Sequence, residues 1–291
     1  MKWQRGYRSS DVVDRRGQGG VGLGPGLLGP FVAIGSRFGL VGILAAVGLY
    51  FAGRAFLGSE SPMSATSRPI EGRPGVTAEQ DELGSFVAFV FDDTQKIWNQ
   101  KLAARGQRYD RAKLVLFEDR TSSGCGYGSA AVGPFYCPAD QHVYIDLSFY
   151  RDLSRRFGAP GDFAQAYVIA HEVGHHVQGL LGSGARAADR SRRDPEARAA
   201  DSVKFELQAD CLAGVWANST DKRELLEQGD IDEALLAASA IGDDRLQRDA
   251  TGTVHPETFT HGSSAQRVHW FKRGLESGKL EACDTFGGTP L

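Results

Sequence analysis

Neither sign of charge dominates this chain of 291 residues: 33 lysines and arginines stand against 36 aspartates and glutamates, for a net charge of −3 and a pI near 6.2. That balance removes the global electrostatic argument for a nucleic-acid partner. Cysteine is scarce, with four residues at positions 125, 137, 211 and 283, and their spacings fit no zinc-finger pattern. No internal repeat is present, and the 37 glycines follow no period. Charged residues at 24% and hydrophobic ones at 41% are ordinary for a globular protein. The length suits one large domain with an appendage, or two small domains.

Against that background one stretch stands out, Phe163 to Leu181, FAQAYVIAHEVGHHVQGLL. Tyr167, Val168, His171, His175 and Gln178 fall at steps of three and four, so the stretch reads as one helix with these side chains on a shared face. His171 and His175, one turn apart, aim their imidazoles at a common point. With Glu172 they spell H-E-x-x-H, the helical zinc motif in which the glutamate is the general base. Gly174 leaves room for another element to pass close. Core histidines usually come singly, and that alternative leaves two histidines and a carboxylate on an apolar helix unexplained.

A zinc site built for chemistry needs three protein ligands and an open position. Ser202 to Asn218, SVKFELQADCLAGVWAN, is a second helical pattern with Glu206 and Asp210 one turn apart. Glu206 lies 31 residues past His175, room for a loop and a return helix, and is the expected third ligand. Asp210 is expected to accept the free ring N–H of a ligating histidine and fix its tautomer. Helix carboxylates are ordinarily solvated, but Leu207, Ala209, Leu212 and Val215 surround these two.

HEVGHHVQG, FELQADCLAGVWA, AIGDDRLQ and THGSSAQRVHWFKRG, with the opening MKWQRGYRSSDVVDRRG and the segment GPFYCPADQHVYIDL, resemble the neutral zinc metallopeptidase family of bacteria. The matches run in order over nearly the whole chain, apart from the linker and the loop at 182–200. The resemblance implies His171, His175 and Glu206 as ligands of one Zn2+ and Glu172 as catalyst, and it suggests HVYIDL as the edge strand lining a substrate cleft. It does not supply what is cleaved.

Residues 1–37 are expected to form a cytoplasmic, largely disordered tail, because Gly17 to Gly29 is glycine-rich and aperiodic. Phe38 to Gly53 runs sixteen residues without a charge, and counting on to Leu57 gives a span near the ~20 residues that cross a bilayer. Arg37 and the cations before it set the N-terminal side in the cytoplasm. The length of the run, its 37-residue leader and the lack of an A-x-A site weigh against a cleaved signal peptide. Residues 58–75, with Pro62, Pro69 and Pro74, read as a linker, and residues 76–291 as the zinc metallopeptidase domain.

Within that domain Thr77 is the expected N-cap of a packing helix, and KLVLFE and HVYIDL are strands. Four cysteines allow three pairings. The sequence does not choose among them: in an oxidising compartment Cys125 with Cys137 would close a loop of small residues and Cys211 with Cys283 would make the second pair, with a buried thiol at Cys211 the alternative. The loop at 182–198 is a solvated basic surface. Asp243 and Asp244 mark a helix end, with cation binding the less simple account.

A zinc peptidase needs an electrophile for the tetrahedral oxyanion. His261, ahead of the expected N-cap Ser263, and Arg267 on the following helix are the candidates. Arg267 as partner of a buried carboxylate, and His261 as a turn residue, are the alternatives. His176, His255 and His269 are read as non-ligands, and His142 as a strand residue that could face the cleft.

The fold expected is α+β: a zincin-like metallopeptidase domain, mainly helical with a small sheet, preceded by one transmembrane helix. The function expected is a membrane-anchored peptidase that hydrolyses a peptide or protein substrate outside the cytoplasm through a zinc-bound water activated by Glu172. The rival is a catalytically silent, zinc-stabilised, membrane-anchored binding protein, which gives Glu172 no purpose.

Overall fold

The computed structural model describes residues 1–17, 76–129, 133–183 and 198–287. The membrane span expected at 38–57, the linker at 58–75 and most of the loop at 182–198 lie outside those residues. Among the described residues no helix is long and apolar enough to cross a membrane.

Thr77 opens helix α1 (Ala78–Ala103) with a capping box. Its hydroxyl accepts from the Gln80 amide at 3.2 Å, and Gln80 Oε1 accepts from the Thr77 amide at 2.8 Å. The stripe Phe86, Val87, Val90, Thr94, Ile97 and Trp98 is buried, which fixes the face that α1 turns to the core.

The main sheet contains β1 (Val12–Asp14), β2 (Lys113–Phe117), β5 (Phe135–Cys137) and β6 (His142–Asp146), in the order β1-β2-β6-β5. The first three neighbours pair parallel, and β5 pairs antiparallel with β6. A separate hairpin joins β3 (Arg120–Ser123) to β4 (Gly126–Ser129). Leu114, Leu116, Val143 and Ile145 face the main helical core, while Val115, Phe117 and Tyr144 join Cys137 in a smaller cluster on the opposite face. Burial of successive residues on both faces marks β2 and β6 as interior strands. HVYIDL is therefore not the edge strand that the family resemblance suggested, because β6 is paired on both sides. The edge beside it is β5.

Residues 1–16, expected in a disordered tail, belong instead to the unit formed with residues 76–291. Val13 on β1 lies opposite Val115 on β2, the Trp3 ring packs edge-on against Phe86 at 5.4 Å, and Met1 is buried. A three-residue strand between polar residues carries no periodicity of its own, and its place is set by the bare edge of β2.

Helices α2 (Ser148–Arg155), α3 (Asp162–Leu180), α4 (Arg198–Lys222), α5 (Asp230–Ala240), α6 (Asp243–Thr251) and α7 (Ser264–Ser277) supply the rest. Helix α3 has no side-chain cap of its own, and Glu233 of α5 accepts the Phe163 amide at 3.0 Å. Gly174 is the crossing point of α3 and α4: a Cβ there would lie 3.1 Å from the Ala209 carbonyl oxygen. Gly214 on α4 and Gly274 on α7 bring two helix backbones into contact, so that a side chain at either would overlap the other helix. Cys211–Cys283 ties α4 to the turn Leu280–Cys283, and Cys125–Cys137 ties the β3–β4 turn to β5. Of the three connectivities the sequence left open, this is the one formed.

Candidate metal centre

Close approach of α3 and α4 at Gly174 puts the H-E-x-x-H turn opposite Glu206. His171, His175 and Glu206 each offer a ligand atom, and all three atoms lie within 4.8 Å of one another. His171 Nε2 is 3.2 Å from Glu206 Oε2, and His175 Nε2 is 3.6 Å from Oε1. The two imidazoles meet nearly perpendicular, with centroids 4.7 Å apart, and Phe205 stacks on His175 at 5.2 Å.

Each ring nitrogen facing away from that point has an acceptor. His171 Nδ1 lies 2.8 Å from Asp210 Oδ1. His175 Nδ1 lies 2.8 Å from Gln178 Oε1, and the Gln178 amide nitrogen donates to the Phe205 carbonyl at 2.7 Å, which fixes the oxygen as the end turned to His175. Both Nδ1 atoms are thereby placed to donate, and both Nε2 atoms are left turned to Glu206, where a proton or a metal ion takes their lone pairs. Two bare imidazole nitrogens facing a carboxylate repel unless a proton or a cation lies between them. Burial opposes charge on His171, yet Asp210 and Glu206 push its pKa up to about 10; burial likewise opposes charge on Glu206, which the two histidines hold well below the usual carboxylate range. A His₂Glu donor set with these tautomers suits Zn2+.

Asp210 is fully buried and accepts from four donors: Tyr167 Oη, His171 Nδ1 at 2.8 Å, and Arg267 Nε and Nη2, both at 2.9 Å. Burial works against its charge, and Arg267 followed by His171 keeps its carboxyl below the usual range. Arg267 Nη2 also donates to Tyr167 Oη at 3.2 Å. The arginine borders the cavity described next, but its fork is spent on Asp210, the arrangement weighed against an oxyanion role.

A cavity of about 850 Å³ runs past His171, His175, Glu206 and Glu172, and His261 and Arg267 also line it. Glu172 is 7% exposed. His261 is held at its ring by Asp243, with Nδ1 3.2 Å from Oδ1, and at its backbone by the Asp243 Oδ2 that accepts its amide at 2.6 Å. The Asp243 hydrogen bond raises the His261 pKa from its ordinary value; partial burial opposes this, and Glu206 adds to it. Asp243 and Asp244 thus organise the turn before α7, since Asp244 accepts from the Ser264 amide and hydroxyl. Sequence gave no sign of the Asp243–His261 contact, whose partners are eighteen residues apart. Gln178 was legible: it sits on the ligand face of α3, three residues past His175.

The remaining histidines lie elsewhere. His176 points its ring at Tyr136 Oη (3.1 Å) and the Asp110 carbonyl (2.6 Å). His142 contacts the Asp140 carbonyl, His255 faces Glu257 at 3.3 Å, and His269 packs edge-on against Trp270. A second cluster, Asp162, Asp230 and Glu233, receives the Met1 amine and the Phe163 amide.

Residues 1–286 match the family described as "Putative neutral zinc metallopeptidase". The chain is 44% identical over 291 residues to "Uncharacterized protein YpfJ" of Escherichia coli (strain K12), covering 99% of each chain. It is 46% identical over 194 residues to "Uncharacterized protein Rv2575" of Mycobacterium tuberculosis (strain ATCC 25618 / H37Rv), covering 63% of this chain and 65% of that one. A protein of Mycobacterium bovis (strain ATCC BAA-935 / AF2122/97), "Uncharacterized protein Mb2605", matches to the same extent. No solved structure matches.

Proposed function

The chain belongs to the neutral zinc metallopeptidase family, and from that premise we propose that it is a zinc-dependent peptidase, with the metal on His171, His175 and Glu206 and Glu172 as general base. The observation that carries this reading is the convergence of two imidazole Nε2 atoms and one carboxylate on a single point inside a cavity that also holds Glu172. Zinc bound there supplies Lewis acidity, lowering the pKa of water and polarising a carbonyl.

The protein's own groups do the rest. Glu172, the neighbour of His171 and 7% exposed in the cavity wall, takes the proton of the attacking water and returns it to the leaving amine. Asp210, steadied by Arg267 and Tyr167, holds the His171 tautomer; Gln178 does so for His175. His261 borders the same cavity with its charge supported by Asp243, and steadies the developing oxyanion. Strand β5, at the sheet edge and in the cavity wall through Phe135 and Tyr136, offers backbone groups to an extended peptide. The two disulfides favour an oxidising compartment for the domain.

A catalytically silent zinc-stabilised binding protein is the competing reading; an open cavity with a carboxylate beside the ligands favours the enzyme. Replacing Glu172 by Gln separates the two. The variant is expected to retain one zinc per chain and the parental melting temperature, and to hydrolyse unfolded casein 10²–10⁴-fold more slowly. A Glu172→Gln protein with parental turnover rejects Glu172 as base, and a parental protein without stoichiometric zinc rejects the metal centre itself.

A further inference from the structure

On the N-terminal side of His171 the cavity changes character. Val168 of α3, Phe149 of α2, Phe157, Ile241 at the end of α5 and Leu246 of α6 line it there. We infer that this is a specificity pocket, and that the peptidase selects a large apolar side chain, aromatic or branched aliphatic, next to the bond it cuts. The inference rests on the peptidase reading above and names its substrate class.

Its position follows from helix geometry. Val168 and Glu172 are one turn apart on the same face of α3, so the pocket begins about 6 Å along the axis from the base. A residue adjacent to the scissile bond reaches that far, since an extended chain advances about 3.3 Å per residue and its side chain adds more. Its chemistry follows from exposure. Phe149, Phe157, Ile241 and Leu246 are all only partly buried, and Phe149 and Phe157 hold their rings 6.4 Å apart. The charged groups beside these side chains are Asp152, Arg156 and Arg267, the last buried and committed to Asp210. Asp152 and Arg156 face each other at 3.8 Å, both are largely exposed, and the Arg156 guanidinium lies 5.5 Å over the Phe157 ring. Neither metal binding nor proton transfer uses four large apolar side chains left half-covered beside a reactive centre. An apolar guest completes their burial, as in ligand pockets generally.

Apolar pockets separate side chains that differ by one methylene about 10–200-fold, so Leu or Phe is expected to exceed Ala by at least about tenfold in kcat/KM. The test incubates the zinc-loaded full chain with a pool of peptides from unrelated denatured proteins and reads the new termini by mass spectrometry. Large apolar residues should be enriched at one position flanking the cut. Leu246→Arg, with zinc content and melting unchanged, should lose that enrichment about tenfold and favour acidic residues there. A second measurement does not depend on that variant: the Glu172→Gln protein should bind a fluorescent peptide carrying Phe at that position about tenfold more tightly than its Ala counterpart. Chelator-sensitive cleavage indifferent to apolar neighbours, or equal binding of the two peptides, overturns the pocket and leaves the peptidase standing. Absence of any chelator-sensitive cleavage removes both.

Discussion

Asp210→Asn tests the buried polar network behind the metal centre, because it deletes a charge and almost no volume. In the native chain Asp210 and Arg267 are 0% and 2% exposed, and the pair is bidentate, 2.9 Å at both contacts. Removing the carboxylate charge leaves the guanidinium buried without compensation, a change that typically costs about 3–5 kcal/mol. At roughly 2–4 °C per kcal/mol for a domain of this size, the melting temperature should fall by about 6–20 °C. Zinc affinity should fall about 10–100-fold, because His171 Nδ1 loses the anion that orients it. The double variant Asp210→Leu, Arg267→Met separates the two effects. Apolar residues in place of a buried ion pair are often neutral or better, so most of the stability should return while zinc affinity stays low. Calorimetry and competition against a chromogenic chelator read the two quantities independently. A single variant within about 1 kcal/mol of the parent refutes the network, as does a double variant whose loss equals the sum of the single losses.

Two further outcomes follow from elements that sequence placed elsewhere or left open. Removing residues 1–16 uncovers Phe86 and bares one edge of β2; burial of Trp3 and Val12 alone suggests a loss of about 3 kcal/mol, visible as a lower melting temperature, whereas a tail outside the fold leaves the melt unmoved. Asp243→Asn acts on His261, whose pKa the Asp243 carboxylate raises. A raised pKa keeps the imidazolium present to higher pH, so its loss should move the alkaline limb of kcat/KM to lower pH with zinc content unchanged; a limb that stays in place excludes His261 as the electrophile.

What the sequence by itself determined is what short-range geometry controls. The spacing of His171, Glu172 and His175 is a property of one helical turn, and so is the pairing of Glu206 with Asp210. The capping boxes at Thr77 and Ser263 close within three residues. Gly174 signalled a close crossing before its partner, Ala209, was known.

The tertiary structure alone decided which elements meet. Strand β1 pairs with residues about a hundred positions away and is too short to show a period, so composition assigned it to a tail. The stretch 142–147 reads as a strand in either setting; only the antiparallel addition of β5 made it interior and left Phe135–Cys137 at the sheet edge. Arg267 was open between oxyanion and carboxylate, and the approach of α4 to α7 at Gly214 and Gly274 gave it to Asp210. Local periodicity reports which face of a helix is apolar or ligating. It is silent on the partner that face meets, because that choice is made by packing between segments far apart in the chain.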